Sequence, residues 1–274
     1  MPEGPEIRQV ADRLSRALSG APLTKVYFFS EKLKNYEGIL KGSTIESFKS
    51  KGKALLTRLD SGYTIYSHNQ LYGRWRIVKA GNFPQSRRSL RMALETNSYR
   101  ALLFSASDID VLKSNVIDRH PFLVKLGPDI FDENLSWKII SRRLVSEKFK
   151  NRQLASLFLD QKFLAGIGNY LRSEILFEAR VNPLKKPREL TKKEINQLSR
   201  STLKICQRAY IQGGVTNSEK LVRKLKNDGL SKSAYRHAVF GRSDGDCYVC
   251  KTSIKKVSVG SRRLYLCPSC QNEN

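Results

Sequence analysis

Met1-Pro2-Glu3-Gly4-Pro5-Glu6-Ile7 opens the chain, and its reading sets the terms for the rest. Removal of Met1, usual before a small residue, would leave a proline with a free secondary amine. An α-amino group titrates near ~7.7–8.0, so part of it is unprotonated at neutral pH. Condensed with an aldehyde-level carbon, a secondary amine gives a permanently cationic iminium, an electron sink of the Schiff-base type. Glu3 stands beside it as a carboxyl of the kind that passes protons to a sugar oxygen. Pro5 and Glu6 suit a first helical turn, where proline is tolerated and an acid complements the dipole. By themselves these residues also fit a frayed terminus in front of an ordinary helix.

Outward from that heptapeptide, Val10, Ala11, Leu14 and Leu18 recur at helical spacing, and Gly20 closes the segment. Short β-rich runs follow at Lys25 to Phe29, Ser43 to Lys49, Lys53 to Leu59, Tyr63 to Ser67, Arg74 to Val78, Leu90 to Glu95 and Arg100 to Phe104. Turn chemistry such as Asp60-Ser61-Gly62 separates several of them. This spacing predicts an antiparallel β-sandwich. Leu126-Gly127-Pro128-Asp129 reads as the start of a linker, after which the pattern turns helical. Ser136 caps a predicted helix to about Val145, and Asn151 a second with Leu154, Leu157, Phe158 and Phe163 as its buried stripe. Thr191 and Glu194 form a capping box for a third, reaching about Tyr210. Gly166-Ile167-Gly168-Asn169-Tyr170-Leu171 is a glycine-rich turn into a helix ending near Glu178, and such a turn can offer backbone amides to a phosphate. The basic stretch between Gly213-Gly214 and Tyr235 reads equally as a loop or a short helix.

With 50 Lys and Arg against 25 Asp and Glu among 274 residues, the formal charge is +25. The excess is spread along the chain, which favours a surface that follows phosphates over a basic tail. No apolar run approaches the ~18–20 residues of a membrane span, and no signal-peptide core is present. Five cysteines, four of them bunched near the carboxyl end, fit metal in a reducing compartment better than a disulfide framework. Cys247-x-x-Cys250 and Cys267-x-x-Cys270 have the spacing of a four-cysteine zinc ribbon, with Ile254 to Val259 and Arg263 to Leu266 as a hairpin standing on it. Four thiolates leave the ion no open position, so one structural zinc is expected and catalysis by it is not. Cys206 reads as a packing residue. His68, His120 and His237 have no partner at ligand spacing and read as structural, with His68 distinguished only by the tripeptide that follows it.

The heptapeptide Met1 to Ile7 resembles the amino terminus of the bifunctional DNA glycosylase/AP lyases of the formamidopyrimidine-DNA glycosylase/endonuclease VIII family, and Gly4 resembles its endonuclease VIII branch. Further likenesses keep their order along the chain to about Gln271. Lys51-Gly52-Lys53-Ala54-Leu55-Leu56 looks like the family's β-hairpin, Lys53 matching the catalytic lysine; the residues alone would also suit a solvated strand lysine. Gln70-Leu71-Tyr72 resembles the tripeptide that fills the gap left by a flipped nucleotide: an amide for the orphaned base, an apolar wedge and an aromatic face. Asn169, within a turn similar to the family's helix-two-turn-helix, matches an asparagine on the DNA backbone. Arg262 matches a zinc-hairpin arginine that grips phosphates. Lys125 stands where the branch often has an arginine, keeping the charge without the bidentate fork. The stretch Thr216 to Ser233 stays outside the resemblance.

The resemblance implies an α+β multidomain protein. A catalytic N-terminal helix and β-sandwich would occupy residues 1–127, a helix-two-turn-helix DNA-binding domain 128–234 and a four-cysteine zinc finger 235–274. It implies a base-excision-repair glycosylase with AP lyase activity on oxidised pyrimidines, with Pro2, Glu3, Lys53, Arg262 and Glu6 catalytic and Gln70, Leu71, Tyr72, Lys125 and Asn169 on the DNA. The partner is double-stranded DNA with damaged bases. The enzyme is expected to be a bacterial, cytoplasmic monomer associated with the nucleoid through DNA. Two alternatives stay open: the sister specificity for oxidised purines, and a catalytically silent binder of damaged DNA.

Overall fold

The amphipathic stripe that begins at Ile7 folds as helix α1 (Gly4–Leu18), burying Ile7, Ala11, Leu14 and Leu18. In this computed structural model, which describes residues 2–271, the chain divides into two compact units, Met1–Lys125 and Leu126–Asn274.

In the first unit α1 is followed by β1 (Lys25–Phe28), a 3-10 turn, α2 (Lys34–Leu40), then β2 (Ile45–Lys51), β3 (Ala54–Leu59), β4 (Tyr63–His68), β5 (Arg74–Lys79), β6 (Leu90–Glu95), β7 (Tyr99–Phe104) and β8 (Asp108–Lys113). They form two four-stranded antiparallel sheets, ordered β1-β6-β7-β5 and β2-β3-β4-β8. Apolar residues of both sheets and the buried stripe of α1 share one core, in which Leu14, Phe28, Ile45, Ile65 and Leu94 are fully enclosed. Truncating such a residue costs ~2–5 kcal/mol, so α1 is fixed by its apolar face and its head is a rigid platform for Pro2 and Glu3.

Two elements of this unit escape the strand pattern. Strand β8 pairs antiparallel with β4, although its sequence Asp-Ile-Asp-Val-Leu-Lys buries only Val111. Helix α2 lies where no periodicity pointed, and the Glu37 carboxylate on it accepts the Phe28 amide at 2.7 Å.

The second unit contains α3 (Trp137–Val145), α4 (Leu154–Leu157), α5 (Asn169–Glu178), α6 (Lys192–Ile211), α7 (Glu219–Asn227), α8 (Lys232–Tyr235) and the hairpin β9 (Lys255–Val259) and β10 (Arg262–Leu266). Ser136 and Thr191 stand at the N-caps of α3 and α6, and the Thr191–Glu194 capping box is formed. The helix expected from Asn151 is instead the single turn α4 with Gln153 at its N-cap. Asn151 turns its amide oxygen to Arg188 at 3.0 Å, a long-range bond that competes with capping. The stripe Leu154, Leu157, Phe158 and Phe163 is buried all the same. The open question between Gly213 and Tyr235 resolves as the basic helix α7, capped by Ser218, and the short α8.

Candidate active site

At the head of α1, Glu3 is the N-cap and is buried, while Glu6 accepts its backbone N–H at 2.9 Å. Glu3 and Glu6 therefore lock the first turn in a capping box. Pro2 is half-buried just before it and borders a cavity of about 620 Å³, whose wall includes Asn69, Gly73, Arg74 and Arg76.

Lys53 owes its position to a two-residue hairpin turn. Lys51 pairs with Ala54, so Gly52 and Lys53 alone connect β2 to β3, and Gly52 takes φ 60°. A glycine at the first of two loop positions suits the tight turn that matches strand twist. The Lys53 side chain is buried. Its charge helps hold the His68 imidazole below the ordinary range, burial being the main cause and Asp108 opposing both.

Beyond β4 the chain makes the turn that carries Gln70, Leu71 and Tyr72, with Leu71 and Tyr72 exposed by 56% and 67%. Large apolar side chains left in solvent at a turn mark a contact surface. Gln70 sits at φ 49°, a left-handed conformation uncommon for a side chain of its type. The Gly73 amide closes the turn onto the Asn69 carbonyl at 2.7 Å. Nothing larger than glycine fits at 73, because a Cβ there would lie 2.4 Å from that same oxygen.

Behind this turn lies a polar cluster absent from the sequence reading. Tyr66 is fully buried, stacks on His120 at 3.9 Å and donates to Asp108 at 3.2 Å. Burial beside Asp108 and Asp110 raises its pKa well above the ordinary phenol value. His120 accepts the Phe122 amide on Nδ1 and therefore presents Nε2–H to Asp110 at 3.0 Å. Lys125 ends this unit as an exposed side chain of a 3-10 turn, with no hydrogen bond to another candidate residue among those described.

In the second unit Gly168 caps α5 and Asn169 is its first residue. The preceding loop is closed by Gln161, which donates to the Leu159 and Ile167 carbonyls at 3.0 and 2.9 Å and accepts from the Gly166 amide at 3.0 Å. Arg172, wholly buried one turn into α5, donates to the Ala155 and Arg263 carbonyls at 2.8 and 2.7 Å, and to Asn169 Oδ1 at 3.4 Å. One guanidinium thus links Asn169 to the strand that starts with the exposed Arg262. Glu174, also buried, accepts the amides of Ala238, Val239 and Phe240 at 2.8 to 2.9 Å and the Thr216 hydroxyl.

The four cysteine sulfurs lie within 4.8 Å of one another, with Cys250–Cys267 at 3.3 Å and Cys247–Cys270 at 3.9 Å. A tetrahedral ion bound at ~2.3 Å by four thiolates would space the sulfurs roughly 3.8 Å apart. Backbone amides of Val249 and Cys270 point at the Cys247 and Cys267 sulfurs at 3.4 Å, the polar support expected of thiolates around a metal. The set fits one metal ion with no open position. Cys206 is buried in the helical core, apart from this cluster.

Residues 1–107 match the formamidopyrimidine-DNA glycosylase N-terminal domain and residues 126–220 the formamidopyrimidine-DNA glycosylase H2TH domain. Endonuclease 8 of Klebsiella pneumoniae is 44% identical over 272 residues, covering 99% of this chain and all of the relative. Endonuclease 8 of Escherichia coli is 43% identical with the same coverage. Among solved structures, Lactococcus lactis Fpg (MutM) in complex with DNA containing N7-benzyl-Fapy-dG superposes with a TM-score of 0.82 at 21% identity, over 98% of this chain and 99% of that one. The same protein with DNA containing an abasic site gives 0.81 at 20% identity over the same spans.

Proposed function

The chain belongs to the formamidopyrimidine-DNA glycosylase family, on its endonuclease 8 side, and from that premise we propose how its residues divide the work on oxidised pyrimidines. It is a bifunctional DNA glycosylase and AP lyase of base excision repair. In our reading, once Met1 is removed, the Pro2 amine attacks the anomeric carbon of a flipped nucleotide. Glu3 protonates the sugar-ring oxygen, the ring opens and the base leaves. The resulting iminium acidifies the neighbouring C2′ proton, so the 3′-phosphate and then the 5′-phosphate leave by β- and δ-elimination. Lys53 and Arg262 stabilise or protonate the leaving groups, and Glu6 supports Glu3 through the capping box. Gln70, Leu71 and Tyr72 fill the vacated space in the stack, while Asn169 and Lys125 hold the backbone.

Catalysis is assigned to 1–127, backbone binding to 128–234 and positioning of Arg262 to the finger 235–274. A zinc ion on Cys247, Cys250, Cys267 and Cys270 supplies folding energy there. We place the enzyme, as a monomer, in the bacterial cytoplasm on nucleoid DNA. No helix among the described residues is long and apolar enough to cross a membrane.

The observation that carries this reading is that Pro2 borders the same cavity as Asn69 and Gly73, the two ends of the turn bearing Gln70, Leu71 and Tyr72. The proposed nucleophile thus lies on one concavity with both ends of the turn that bears the proposed wedge. Borohydride reduction on a thymine glycol duplex tests it: the trapped complex should map to Pro2 by peptide mass. A cross-link on Lys53 would overturn the assignment of the nucleophile. Better trapping on an 8-oxoguanine duplex would replace the pyrimidine preference with the purine one, equal trapping would remove the preference, and no trapping on either would favour a silent binder.

A further inference from the structure

The turn from Asn69 to Gly73 is held from outside itself. Gln70, in the left-handed region, carries backbone strain, which persists only where neighbours over-determine it. His68 Nδ1 accepts the Gln70 amide at 3.0 Å. From the loop between β7 and β8, the Ser107 hydroxyl donates to Gln70 Oε1 at 3.0 Å. From the loop before β6, Arg88 donates to the Tyr72 carbonyl at 2.8 Å. Gln70, Tyr72, Arg88 and Ser107 also line one shallow basic concavity of about 450 Å³. Two separate chain segments therefore converge on one exposed turn that His68 holds from its own flank, and these two outer clamps, Ser107 and Arg88, join no part of the core.

An exposed turn that only had to close a hairpin would gain little from such bonds, since exposed loops sample conformations at small cost. A turn that must enter the base stack gains a great deal, because every degree of freedom left open is ordered at the moment of binding. The Ser107 bond has a second effect. It occupies the oxygen of the Gln70 amide and leaves the NH2 end to donate, which matches the ring-nitrogen and carbonyl acceptors that every unpaired base presents.

We propose that Ser107 and Arg88 are positioning residues that hold the Gln70-Leu71-Tyr72 turn in its inserting shape before DNA arrives, Ser107 also setting the Gln70 amide as a donor toward the orphaned base. This rests on the reading of that tripeptide as the wedge.

Single-turnover excision from a thymine glycol duplex, with adenine or an abasic gap opposite the lesion, tests it in a double-mutant cycle of Ser107→Ala and Gln70→Ala. Each single change should slow excision opposite adenine roughly tenfold, about one hydrogen bond's worth. The double variant should be no slower than Gln70→Ala, because the two act as one unit. The Ser107→Ala defect should shrink opposite the gap, and Ser107→Thr should restore the rate. Arg88→Ala should slow excision opposite both, since it frees the backbone of the turn; a rate equal to the parent enzyme would remove Arg88 from the proposal. Additive losses, or a Ser107→Ala enzyme as fast as the parent while Gln70→Ala is impaired, would overturn the positioning role and leave the wedge reading standing. A Gln70→Ala enzyme with no defect would instead remove the wedge reading itself.

Discussion

The guanidinium of Arg172, buried in the helical unit, donates to the backbone carbonyl of Arg263 and so ties α5 to the cysteine hairpin one residue from Arg262. Arg172→Lys would keep the charge but lose the planar fork that reaches the Ala155 and Arg263 carbonyls together. The expected loss is ~1.5–3 kcal/mol, the range for hydrogen bonds to a charged group. Urea unfolding with zinc present measures it. An unchanged midpoint would mean that the hairpin is held by its metal and apolar contacts alone.

The acid and the nucleophile can be separated by substrate. Glu3→Gln keeps an acceptor at the N-cap of α1 while removing the proton that ring opening needs. Base excision should fall by two or more orders of magnitude, within the usual range for a general acid of ~10²–10⁴, and cleavage of a ready-made abasic site should fall much less. Parallel single-turnover assays decide; equal losses would give Glu3 a different role.

Arg262 and the cysteines should also come apart experimentally. Cys250→Ser removes one of four thiolates and should cost zinc, hairpin order and DNA affinity together. Arg262→Ala should retain zinc yet lose about one unit of the slope of log K against log salt, since each phosphate contact contributes about −0.9. Metal content and binding across a salt series check both halves. A parental slope in Arg262→Ala would put that side chain off the phosphates.

His237 makes the helical unit acid-sensitive in a defined window. Burial lowers its pKa to about 4, with Glu174 opposing and Arg236 assisting. The unfolded chain, with a histidine near ~6.5, therefore takes up the proton first. Stability from this residue is complete above about pH 6.5 and is lost as the pH falls toward 4. In His237→Phe, which can keep the stack on Tyr170, the unfolding midpoint should fall less between pH 7 and pH 5 than in the parent. Identical pH slopes would show that carboxylates alone set the acid limit.

What could be read from the chain was whatever is encoded locally. The helix start at Pro5 and Glu6, the Thr191–Glu194 capping box, the hairpin turning on Gly260-Ser261 and the buried face of α1 each depend on residues within a turn or two of one another. The elements that were missed depend on distant partners. Strand β8, with its alternating acids, lies outside the runs that read as strands, and only pairing with β4 makes it one. Helix α2 is docked by Glu37 reaching the end of β1. Arg172, Gln161, Ser107 and Arg88 are polar residues of ordinary surface type, and their roles consist of hydrogen bonds to particular carbonyls and amides distant or irregular in sequence. No periodicity or spacing carries that information.

The contact at Gly73 bears on how such an enzyme can change. Its backbone has no special φ, yet a methyl group there would collide with the Asn69 carbonyl. Mutation is therefore closed at 73, while the exposed side chains of Leu71 and Tyr72 before it project from a frame that does not depend on them. Residues 71 and 72 behave as an interchangeable cassette between fixed ends, with Gln70 belonging to the frame, so a library varied at those two positions alone should yield folded proteins throughout. Within it, lesion and opposite-base preference can drift without a cost to the scaffold.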